Sequence, residues 1–165
     1  MRLVLRRREF VADDWRHFEQ DSAAVSGADA LIVPLSELRN NEAAWFARQG
    51  RLGVRIAPAD KVESFANELD RFALIAVDFP TPAEGRGYTQ GRLLRSRLGF
   101  SGELRAVGAA VKRDLIFALA RCGFDAFELA LGEDPEACAK ALDRYTVAYQ
   151  PAAAGSPPER LRFSV

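Results

Sequence analysis

Histidine and methionine occur once each in this 165-residue chain, at His17 and Met1, and cysteine twice, at Cys122 and Cys138. One histidine and two separated thiols are too few for a Cys/His zinc site, and there is no C-x-x-C pair. His17 lies in the polar segment "DDWRHFEQ", so no Ser–His–acid set is evident and a surface histidine is expected. Two thiols without a framework suit a reducing, cytoplasmic setting, and Cys122 in an apolar helical pattern reads as a buried, inert thiol. Long apolar runs are lacking too. The longest, "FALIAV" and "LIFALA", fall far short of the ~20 residues that cross a bilayer. The start, "MRLVLRRREF", carries arginines after its apolar patch and does not read as a signal peptide. Nor is there an excess of one charge. Lys plus Arg is 23 and Asp plus Glu is 23, which argues against wholesale wrapping of nucleic acid.

What is present is a repeated strand–helix grammar. "ALIVPL", "RLGVRIAP", "ALIAVDFP", "GELRAVGA" and "DAFELAL" read as strands. "NEAAWFARQG", "DKVESFANELDRF", "TQGRLLRSRLG", "KRDLIFALARCG" and "DPEACAKALDRYTVAY" read as the helices between and after them. Thr89 is the expected N-cap of the third helix and Gly99 its stop. Asp134 with Pro135 opens the last one. The apolar runs suit a mainly parallel sheet covered on both faces. The expected class is therefore α/β: an incomplete barrel of strand–helix units, or alternatively an open, doubly wound sheet. Residues 1–20 read as a short strand or hairpin and a polar turn. Residues 1–150 form one expected domain, and 151–165, "PAAAGSPPERLRFSV", a Pro-rich tail.

Both architectures send residues 58–60, 78–88, 108–110 and 128–133 to the carboxyl face. The longest of these stretches, "DFPTPAEGRGY", asks for a function. "EGRGYTQG" resembles G-x-G-x-x-G, but Gln90 stands where the third glycine belongs, so no dinucleotide site of full strength is present. A weaker reading is an anion-recognition or docking element. Gly85 and Gly87 would allow the turn, Arg86 and Arg92 would offer forked donors, and Asp78 would hold Arg86 when no ligand is bound. Asp78 and Tyr88 are the candidate acid–base groups. The bland alternative is a turn with solvated arginines. Charge is also segregated. Residues 86–113 carry seven basic groups, Arg105 among them, against Glu103 alone, and 122–144 are mostly acidic.

The block "LIAVDFP…GRGY…RLLRSRLGFSGELRAVG…RDLIFALARCGFDAFEL" resembles the bacterial family called domain of unknown function 934, over about residues 30–150. The features that match are Asp78, Gly85, Arg86, Gly87, Tyr88, Arg92, Leu93, Leu94, Arg105, Gly108, Asp114, Cys122, Gly123, Phe124 and Asp125. Glu84 and Ala109 depart from the pattern, and Gly91 replaces a better helix former. The resemblance implies a small cytoplasmic protein encoded beside sulfite reductase, with no defined catalytic residues and no defined cofactor. It implies an accessory role in sulfite reduction, with docking to the reductase or its electron donor through Arg86, Arg92 and Arg105. Two further expectations stand beside that one. The chain is a small anion-binding enzyme, an oxidoreductase by the family's label, with its site on residues 78–88. Or it is a subunit that completes a homo-oligomer through a sheet edge.

Overall fold

A computed structural model of the chain describes residues 3–6, 9–18 and 29–142. The expected tail at 151–165 and the second half of the last helix lie outside the described residues. Eight strands form one sheet in the order β2-β1-β8-β7-β6-β5-β4-β3. The strands are β1 Leu3–Arg6, β2 Glu9–Ala12, β3 Trp15–His17, β4 Ala30–Pro34, β5 Leu52–Ile56, β6 Leu74–Asp78, β7 Glu103–Val107 and β8 Ala126–Phe127. From β3 to β8 every pairing is parallel, and β1 is antiparallel to both β2 and β8.

The two edges of this sheet, β2 and β3, are consecutive in sequence. They run in the same direction and are separated only by Asp13 and Asp14. At 3.8 Å per Cα step, Ala12 and Trp15 lie within about 11 Å of each other. The sheet is therefore curled until its edges meet. Side-chain alternation runs unbroken through the junction: Trp15 is in the inner cluster, Asp13 meets the inner-face Arg105, and Phe10 and Phe18 pack on the outer core. Residues 9–17 thus act as one strand that pairs with β1 first and β4 second. The architecture is the incomplete barrel, not the open, doubly wound sheet.

The helices among the described residues all lie outside this curl. They are α1 Leu35–Asn40, α2 Glu42–Ala47, α3 Arg86–Arg92, α4 Arg113–Arg121 and α5 Pro135–Ala141, with a 3-10 segment Val62–Arg71 between β5 and β6. Their buried residues, Leu38, Phe65, Leu94, Ile116, Leu119 and Cys138 among them, join the strand residues Val33, Val54, Ile75, Val77, Ala106 and Phe127 in one core. The inner face has a smaller core without helix residues: Trp15, Ala30, Ile32, Leu74, Ala76 and Val107. Trp15 fits because β5 carries Gly53 opposite it. A Cβ there would stand 3.2 Å from the indole and from Leu74. The sheet is covered on both faces as expected, the inner one by the curl of the sheet itself rather than by helices.

Other expectations shift in detail. Within 60–72 the helix is 3-10, Val62–Arg71, rather than α, with Phe65 out of helical geometry, yet it still buries Val62, Phe65 and Leu69. A polar turn was expected where β3 stands. Asp134 caps α5 as expected, accepting from the Glu136 N–H at 3.0 Å.

Candidate functional site

Parallel strands that curl into a barrel point their carboxyl ends to one mouth, the usual place for ligands. Here the inner face below that mouth is charged. Arg55 on β5 reaches Asp78 at the end of β6, with Nη2 to Oδ1 at 3.0 Å. Arg105, in the middle of β7, is fully buried. It makes a forked pair with Asp13, at 2.8 and 3.0 Å, and donates from Nε to Glu103 at 2.8 Å. Arg6 holds the same Glu103 at 2.8 Å. His17, at the end of β3, meets Glu128, just past β8, with Nε2 to Oε2 at 3.0 Å. The Arg105 Nη1 lies 3.9 Å from that same carboxylate oxygen.

The curl brings these residues together. His17 and Glu128 are 111 positions apart and belong to strands separated by four others in the sheet order. The ladders of a tilted barrel are staggered. That stagger puts His17, Arg55 and Asp78 in the layer nearest the mouth, with Glu128, Arg105 and Asp13 in the layer below. His17 and Glu128 are mostly buried, with side chains 16% and 19% exposed. Glu128 also borders a cleft of about 550 Å³ beside Gly108, Lys112 and Leu131. Gly108 has φ of +110°, and a Cβ there would stand 2.7 Å from the Asp78 Oδ1. Glycine at that position lets the end of β7 pass against the Asp78 carboxylate.

The chemistry follows from the partners. A carboxylate on Nε2 favours the tautomer with its proton there and orients the ring. Arg55 uses a guanidinium N–H on Asp78 and is 39% exposed, so it has further donors to offer an oxyanion. The mouth therefore sets a carboxylate-paired imidazole near a partly exposed guanidinium.

The sequence-predicted site residues fall differently. Asp78 is held by Arg55, not by Arg86. Both Arg55 and Asp78 are inner-face residues of adjacent strands, whereas Arg86 opens an outer helix. Helix α3 starts at Arg86 with Gly85 as its N-cap, not at Thr89. The Arg86 N–H donates to Glu84 Oε1 at 3.1 Å, and the Arg86 side chain is exposed, as is that of Arg92. Arg105 is no part of an arginine surface, because it is sealed among carboxylates. Tyr88 packs edge-on to Phe79 at 5.4 Å. Burial, then the nearby Cys122, raises its pKa, which makes the phenol a poor acid near neutrality. Burial likewise pushes the Cys122 thiol up.

The glycines of "GRGYTQG" serve packing. Gly85 and Gly87 do not supply a left-handed turn. A Cβ on Gly87 would meet the Phe79 ring at 2.5 Å, and one on Gly91 the Phe124 ring at 2.4 Å. The two are four apart, hence on one helix face, and they let α3 lie flush on stacked aromatics. Gly91 is thus a packing requirement rather than a weak helix former. Gln90 clamps the loop after β5, donating to the carbonyls of Ala57 at 2.9 Å and Asp60 at 2.8 Å.

His17, Arg55, Glu128 and Asp13 were not singled out as site residues from the sequence. For Arg55 and Glu128 a signal was present, a single charge inside an apolar stretch, "GVRIA" and "AFELA"; Asp13 and His17, in "DDWRHFEQ", carried none. Among the described residues no helix is long and apolar enough to cross a membrane. No curated protein matches the chain significantly. The model of a bacterial protein family of unknown function, DUF934, matches residues 53–159. That stretch holds Arg55, Asp78, Arg105 and Glu128 and begins after His17. The chain belongs to the bacterial family DUF934.

Proposed function

We propose that this protein is a small cytoplasmic enzyme acting by proton transfer on an oxyanion-bearing small molecule, with its site at the barrel mouth. The observation that carries this reading is the His17–Glu128 contact at 3.0 Å beside the Arg55–Asp78 pair, on a sheet face that elsewhere holds an apolar core. In this reading His17 is the general base or acid, Glu128 orients it, Arg55 receives the anion, and Lys112 draws the anion to the rim. The resemblance to proteins encoded beside sulfite reductase suggests a sulfur oxyanion as ligand. The test is titration of the protein with sulfite, sulfate and phosphate, followed through the His17 ring nitrogens by NMR. Saturable shifts lost in Arg55→Ala support the reading. No saturable shift for any of the three, with Glu128→Gln leaving the His17 signals unchanged, sinks it.

A second reading keeps the accessory role in sulfite reduction. It draws on Arg86, Arg92 and Arg97, which are exposed along the outer helix and the π turn that continues it. Docking of the reductase or its electron donor on this strip would be salt-sensitive. A pulldown at low and high salt with Arg86→Glu/Arg92→Glu tests it, and salt-independent capture by the double variant counts against it.

A further inference from the structure

The opposite end of the sheet has a cleft that the mouth chemistry leaves unused. It encloses about 560 Å³ between the end of α2 and the two loops that enter β5 and β6, a size typical of small-ligand pockets. Its walls carry Arg48, Arg51 and Arg71 against one acid, Asp70, and its aromatic groups are Trp45, Phe46 and Phe72. The Arg71 guanidinium lies over the Phe46 ring, 4.4 Å from its centroid, and Phe46 stands 6.0 Å from Phe72. Arg51 lies over Trp15 at 4.9 Å and also pairs with Asp14, so its head is held in place while more than half its side chain stays exposed. The frame is fixed. The Ala73 N–H donates to the Leu52 carbonyl at 2.9 Å and the Leu31 N–H to the Arg51 carbonyl at 3.1 Å.

Excess positive charge attracts an anion, and a guanidinium already resting on an aromatic ring offers its other face for stacking. We infer that this cleft binds a small ligand that joins an aromatic ring to an oxyanion group, as a mononucleotide or an aromatic acid does. The ring stacks at Arg71 and Phe46, and the oxyanion is taken by Arg51 with Arg71. This inference is independent of the reading of the barrel mouth, since no residue is shared between the two.

The experiment is calorimetric titration of the full chain carrying Arg55→Ala, which removes the anion contact proposed at the mouth, with 5′-AMP, adenosine, inorganic phosphate and benzoate. Saturable binding of AMP or benzoate is expected at a Kd of about 1 mM or tighter. Adenosine and phosphate, which each lack one half of the chemistry, are expected to bind at least about tenfold more weakly. The stronger of AMP and benzoate identifies the source of the ligand. Arg71→Ala and Arg71→Gln, both at an exposed position, are expected to cost about tenfold, whereas Lys140→Ala, exposed on α5, leaves binding unchanged. The inference is overturned if neither AMP nor benzoate saturates, if phosphate alone binds as well as AMP, or if both Arg71 variants bind normally.

Discussion

The two faces of one curled sheet obey opposite rules. Outside, Val54, Ile75, Val77, Ala106 and Phe127 meet five helices in a continuous apolar core. Inside, the alternate positions of the same strands hold Arg55, Asp78, Glu103 and Arg105 in ion pairs. Period-two alternation explains how five residues of β7, "ELRAV", can serve both. The outer face is close-packed and shape-dependent. The inner face depends on each charge keeping its partner, since a buried guanidinium without carboxylates is strongly unfavourable.

The largest effect is expected from breaking the inner face. Arg105→Ala leaves Asp13 and Glu103 without their shared cation and should cost about 3–5 kcal/mol. At about 2–4 °C per kcal/mol for a chain of this size, melting falls by roughly 6–20 °C. The double variant Asp13→Leu/Arg105→Met should lose less than the single one. Denaturant titration of both decides the matter, and a single variant within 1 kcal/mol of the parent, an order-of-magnitude threshold, would contradict a partner-dependent interior.

Next comes the outer face. Gly87→Ala and Gly91→Ala each place a methyl inside the contact radius of Phe79 or Phe124 and should cost about 1–3 kcal/mol by overpacking. On propensity alone both changes would stabilise a helix, so the sign of the measured change separates packing from propensity. Gly85→Ala, which meets nothing within 4 Å, is the control.

A smaller effect distinguishes the faces by pH. Cys138 is buried, and this, with the Glu133 carboxylate beside it, pushes its thiol up to about 11 from 9.0. The folded form holds the proton more tightly than the unfolded one. Its contribution is therefore fully present below pH 9 and lost as pH rises through about 11. Cys138→Ala should flatten the stability curve between those values, and the wild-type thiol should react slowly with alkylating reagents at pH 8. Rapid Cys138 modification of the native protein at that pH would show the thiol is not held this way.

The smallest change belongs to neither face. Arg86→Ala removes an exposed side chain with no ion pair among the described residues, so stability should stay within about 0.5 kcal/mol. A melt shifted beyond that range would mean Arg86 is structural after all.

The strands of the parallel sheet and α4 were legible in the sequence because their apolar runs are flanked by Gly, Pro and polar stops. The mouth was not, for a geometric reason. Arg55 and Glu128 look like interruptions in apolar runs until the direction of curl is known, and only the curl brings His17 to Glu128. The loop 78–88 drew attention by composition. Gly87 and Gly91 face aromatic rings from the residue after β6 and the turn after α4, and nothing local to "GRGYTQG" reveals those partners. β3 was missed because three residues beginning after two aspartates carry too little pattern.

The strand 9–17 has one more consequence, for the order of assembly. Its pairings with β1 and β4 are local, but the closure it completes, the β1–β8 pairing of Leu5 with Phe127 and the His17–Glu128 contact across 111 positions, joins the two ends of the sheet across most of the chain. Loop closure of that length is slow relative to the local βα units. We expect the units from β4 to β8 and the β1–β2 hairpin to gain protection first, and the amides of the β1–β8 pairing last, in pulsed hydrogen exchange during refolding. The proposed proton-transfer pair would then form only in the final step, so a chain stalled before closure would have nearly all its secondary structure and none of its mouth. Early protection of the β1–β8 amides would instead make that seam the nucleus.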